Sequence, residues 1–146
     1  MNEFLSLLNR FDELNAFEEP TDRDDTFPED AEHLREALNQ SLNLNLKLTV
    51  TQDAAFYGYL SSDGGKRPHL SVRLSKFGRL VTLRGIPEDY PPKALKDRII
   101  RVIEETGFVY IPVEILMQKY DGKNIRLAKV TGKENPTWWD RYFDYI

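Results

Sequence analysis

At residue 42 the spacing of apolar side chains changes from a helical repeat to strict alternation, and this switch restricts the fold more than any other feature of the chain. Before it, Phe4, Leu7, Leu8, Phe11 and Leu14 recur three and four apart across residues 2–16. Ala31, Leu34, Ala37 and Leu38 do the same across 29–41, behind Pro28. That spacing gives a helix one apolar stripe. After it, Leu42, Leu44, Leu46, Leu48 and Val50 alternate with Asn43, Asn45, Lys47 and Thr49. Strict alternation predicts a strand with one buried face.

Three more alternating runs follow at 54–61, 68–75 and 79–85, separated by glycine-bearing or polar turns. Gly64 and Gly65 supply the positive φ that a tight turn requires. In the first run Phe56, Gly58 and Leu60 share one predicted face, and Tyr57 and Tyr59 the other. Consecutive runs of this kind make an antiparallel meander. Pro91 and Pro92 open a third helix, with Leu95, Ile99, Ile100, Val102 and Ile103 as its stripe and Gly107 as its C-cap. A short extended piece at 108–112, a short helix at 113–120 and a fifth strand at 124–130 are expected next. In the aromatic tail, Thr137 and Asp140 have capping-box spacing. The expectation is a single α+β domain over 1–146. Its four- to five-stranded antiparallel meander is flanked by N-terminal helices, a central amphipathic helix and a short aromatic C-terminal helix. Leu46, Leu48, Phe56, Leu70, Val72, Ile99 and Ile103 are expected to share one core.

Chemistry is sparse. The 146 residues include no cysteine, which excludes disulfides, thiolate metal sites and cysteine nucleophiles. His33 and His69 are the two histidines, and neither lies in a zinc-binding spacing. Asp22, Asp24 and Asp25 lack the spacing of a calcium loop. The segment SDGGK lies between strands and lacks the phosphate-loop pattern. No cofactor is expected. The N-terminal stretch does not read as a secretion signal, and no run is long and apolar enough to span a membrane, so the expected location is the cytoplasm.

Charge is unevenly placed. Residues 1–40 carry 12 acidic and 3 basic side chains, and residues 41–146 carry 12 acidic and 17 basic. Three function classes follow. The first is a non-catalytic protein-binding module, of which a bacterial toxin-neutralising immunity protein is one form. Its acidic front, with Asp22, Asp24 and Asp25, would meet a basic partner. The second is a nucleic-acid platform of Tyr57, Tyr59, Arg67, His69 and Arg73 on one open sheet face, joined by either Arg79 or Arg84 depending on the register of the fourth strand, against which the net acidity weighs. The third is an enzyme built on His69 with Arg67 and Arg73. Trp138 and Tyr142, four apart in the tail, are expected either to tie the tail to its own domain or to bind a partner or a second copy.

Overall fold

The computed structural model describes residues 3–10, 27–51, 56–62, 69–75, 79–87, 89–122 and 134–143. The first helix, α1, runs over Glu3–Arg10 and the second, α2, over Phe27–Leu42. Four strands follow: β1 (Lys47–Val50), β2 (Phe56–Ser61), β3 (His69–Ser75) and β4 (Leu80–Ile86). Then come α3 (Lys93–Glu105), β5 (Val109–Tyr110), α4 (Val113–Leu116) and α5 (Trp138–Tyr142). The sheet order is β1-β2-β3-β4-β5, with the first four strands antiparallel and β5 parallel to β4. The α+β meander is therefore the fold, and its fifth strand is the short piece after α3. The stretch 124–130 lies outside the described residues.

The alternation beginning at Leu42 is only partly a strand. Asn43 adopts φ 54° and the Leu44 N–H donates to Asn39 O at 3.2 Å. Asparagine tolerates this left-handed backbone, and the bond closes the α2 C-terminus in a Schellman motif. The Asn39 side chain then bonds both Leu46 N–H (2.8 Å) and Leu46 O (3.1 Å), as a neighbouring strand would. Leu42 and Leu44 still pack against the core from the helix end. At the other end of α3, Gly107 (φ 92°) lets Phe108 N–H reach Ile103 O at 3.1 Å.

Both faces of the sheet are covered. On the first, Leu46, Tyr57, Leu60, Leu70, Val72, Leu74, Val81 and Leu83 meet α2 and α3 through Phe27, Leu34, Leu38, Ile99 and Ile103. On the second, Phe56 and Leu80 meet Ile111, Leu116 and Tyr120, the α5 residues Trp138 and Tyr142, and Leu8 of α1. Two helical layers on one sheet bury apolar surface from both sides.

A bulge between Phe56 and Gly58 decides which β2 side chain goes where. Phe56 pairs with Ser75 and Gly58 with Leu74, so Tyr57 is the extra residue. An extra residue reverses the phase of everything beyond it. Phe56 therefore turns to the second face, and Tyr57 to the first, where its ring lies 4.7 Å from that of Phe27. The single core expected to hold Phe56 with Leu70 and Ile99 is thus two cores. Gly58 is needed because β1 lies against it: a Cβ there would stand 2.2 Å from Thr49 O.

Candidate interaction surface

The bulge also dismantles the expected platform. Tyr57 is buried on the face opposite Tyr59, and burial raises its phenol pKa. Tyr59 and Arg73 do share the second face, as direct neighbours across β2 and β3. The Arg73 guanidinium lies 4.4 Å from the ring of Phe56, 5.7 Å from Tyr59 and 5.1 Å from Trp139, half-buried rather than presented to solvent. His69 faces the same way, with Nδ1 3.3 Å from Ser62 Oγ. It lies four residues from Arg73 along β3, roughly 13 Å at strand rise, so the two do not converge on one reaction centre. Arg67, Asp22, Asp24 and Asp25 lie outside the described residues.

The tail is docked on its own fold. Trp138 and Tyr142 are fully buried, and Tyr142 Oη donates to Leu8 O at 2.7 Å. A capping box starts α5: the Thr137 side chain accepts from Asp140 N–H, and Asp140 Oδ2 accepts from Thr137 N–H at 2.7 Å. Neither aromatic side chain is available to a partner, so both leave the set of contact residues. The residue that sequence reasoning passed over is Trp139. It is only half-buried and rests on Phe143 (5.5 Å). Arg73 and Arg84 each bring a guanidinium within 5.1 Å of its ring.

Arg84 is exposed on β4, and the register that places it there assigns Arg79 elsewhere. Arg79 precedes β4 and pairs with Asp30 at 2.7 Å, between the rings of Phe27 and Phe108. That ion pair joins the acidic front to the basic body. The other described carboxylates of the front lie along α2, where Glu32 pairs with Arg35, and Glu29 and Glu36 are exposed. The Arg35 hydrogen bond holds the Glu32 carboxyl below the usual range.

Beside Arg84 opens a groove of about 890 Å³. Leu83, Arg84 and Gly85 of β4 form one wall, the 89–91 turn with Lys96 a second, and Val113, Glu114 and Met117 a third. Met117 is 44% exposed. The turn can press onto β4 because Gly85 has no side chain, since a Cβ would stand 1.7 Å from Tyr90 O. Arg84, Lys96, Asp89 and Glu114 give the groove two charges of each sign, and none of the four is ion-paired with another described residue. Among the described residues no three His, Asp or Glu side chains converge as metal ligands, and no helix is long and apolar enough to cross a membrane. Comparison with known proteins gives no match to a family, a curated sequence or a solved structure.

Proposed function

We propose that the chain is a non-catalytic, cytoplasmic protein-binding module, acting in the manner of a toxin-neutralising immunity protein. Its contact surface is the Arg73–Trp139–Arg84 stack and the groove beside it. One observation carries this reading: Trp139, half-buried, holds exposed Arg84 against its ring. Tryptophan and arginine dominate interface hot spots. A guanidinium already stacked on a ring loses less freedom when it meets a carboxylate. The surface therefore favours an acidic patch on the partner, while the exposed Glu29 and Glu36 on α2 offer the opposite sign to a basic one.

The test is affinity capture from the native host, comparing the wild type with the Arg84→Ala/Trp139→Ala double variant. A protein retained by the first and lost by the folded second is the expected result. No retained protein, or equal retention by both, refutes the reading.

A further inference from the structure

The turn at Pro112 leaves half of β4 with a free edge. Val109 N–H donates to Arg79 O at 2.9 Å and Ile111 N–H to Val81 O at 2.8 Å, and the strand pairing ends at Val81↔Tyr110. Residue 112 faces away from β4 in this register, and the chain turns there into α4, so the ladder does not continue from Val113 N–H to Leu83 O. Backbone groups along a strand point alternately to its two edges. Thr82 and Arg84 bond toward Arg73 and Ser71 of β3. Leu83 and Gly85 therefore point the way Val81 does, past the end of β5. No described residue hydrogen-bonds their outward N–H and C=O groups. This edge is sheltered, for it is the β4 wall of the groove.

We propose that the groove binds an extended peptide segment of a partner protein, which adds to β4 as a strand in the column that β5 vacates at Pro112. The inference rests on reading the chain as a protein-binding module and names how that module grips. Main-chain bonds to Leu83 and Gly85 supply the affinity, and side-chain neighbours set the preference. A residue opposite Arg84 projects on the same side as Arg84, where an acidic side chain is favoured. Residues opposite Leu83 and Gly85 project on the other side, beside the Leu83 side chain and the Tyr90 residue that the turn presses against Gly85. Apolar residues belong there. The preferred core is therefore apolar–acidic–apolar, while Asp89 and Glu114 repel a wholly acidic segment.

A displayed library of random nonapeptides, selected on the full chain, provides the probe. Selected peptides are then synthesised and followed by amide NMR. The expected result is enrichment of the apolar–acidic–apolar core, with saturable shifts and slowed exchange at the Leu83 and Gly85 amides. N-methylation at alternate peptide residues should weaken binding tenfold or more, and methylation of the intervening ones should not. One phase indicates antiparallel addition and the other parallel. Val113→Trp, which fills the groove, should weaken binding by a similar factor with the spectrum of the folded chain kept. A library that yields no binder, binders that leave both amides unmoved, or uniform tolerance of N-methylation would each overturn strand addition. If Arg84→Ala/Trp139→Ala still loses its captured protein in that case, the protein-binding module stands without it.

Discussion

Gly85→Ala places a methyl group where the Tyr90 carbonyl already lies. The Tyr90 peptide must move far enough to open 1.7 Å to at least 3.0 Å, and both atoms in conflict belong to, or sit directly on, backbone. Such a movement breaks the bond from Tyr90 N–H to Pro87 O (2.9 Å), worth about 1 kcal/mol. It also lifts the half-buried Tyr90 ring off the first core, a further loss of roughly 1–2 kcal/mol. Against this, alanine in a strand gains about 0.5–1 kcal/mol over glycine. The net expectation is a loss of roughly 1–2.5 kcal/mol, or on the order of 1 M in the urea midpoint for a protein of this size. Tryptophan fluorescence or circular dichroism through a urea titration measures it. Gly107→Ala is the instructive control. Nothing lies within 4 Å of its added Cβ, so it costs only the positive φ, about 1 kcal/mol. Asparagine tolerates that backbone and should recover part of the loss at 107. At 85 it should recover nothing. A neutral or stabilising Gly85→Ala would refute the close approach of the turn to β4.

Three further outcomes are expected. Burial, reinforced by the Glu114 carboxylate, pushes the Tyr110 phenol up to about 12, above its ordinary value near 10. Folding thus favours the protonated phenol. Its contribution is fully present below pH 10 and is lost as pH rises from 10 toward 12. Urea midpoints across that window should fall, and Tyr110→Phe should flatten the fall. Tyr142→Phe removes the only described bond to Leu8 O and should cost roughly 1–2 kcal/mol, whereas a thermal melt unchanged from wild type would mean α1 is not held there. Asn39→Ala removes both amide bonds to Leu46 and should cost roughly 1–3 kcal/mol in the same denaturation assay; a loss near zero would show that water replaces them freely.

Local rules were sufficient wherever one residue type answers one backbone need. The Thr137–Asp140 cap, Gly107 at the end of α3 and the alternation of β3 and β4 all read directly from the chain. The misreadings share a different cause. From Leu42 to Leu46 leucine alternates with asparagine whether the backbone is a strand or the end of a helix, and it was the Asn43 conformation that chose. At Tyr57 a single inserted residue exchanged the faces of Phe56 and Tyr57, and only Gly58, too close to β1 for any side chain, hinted at it. Arg79 and Arg84 could not be told apart as face residues without the β3·β4 register. The groove was further from reach. It depends on where β5 stops beside β4, and Pro112 states that the strand stops without stating what lies alongside.

The hydrogen bond from Tyr142 to Leu8 spans 134 residues of chain. On the ribosome, at about 5–20 residues per second, the seat for α1 is completed roughly 7–27 s after Leu8 is made. During that interval α2, the meander and α3 can assemble the first core from shorter-range contacts. Phe4, Leu5 and Leu8 have only part of their cluster, Phe56, Leu80, Ile111, Leu116 and Tyr120, until Trp138, Tyr142 and Phe143 emerge. The two faces of one sheet are thus finished at different moments of synthesis. The second remains a site for chaperones, or for misassembly between nascent chains, until the aromatic helix arrives.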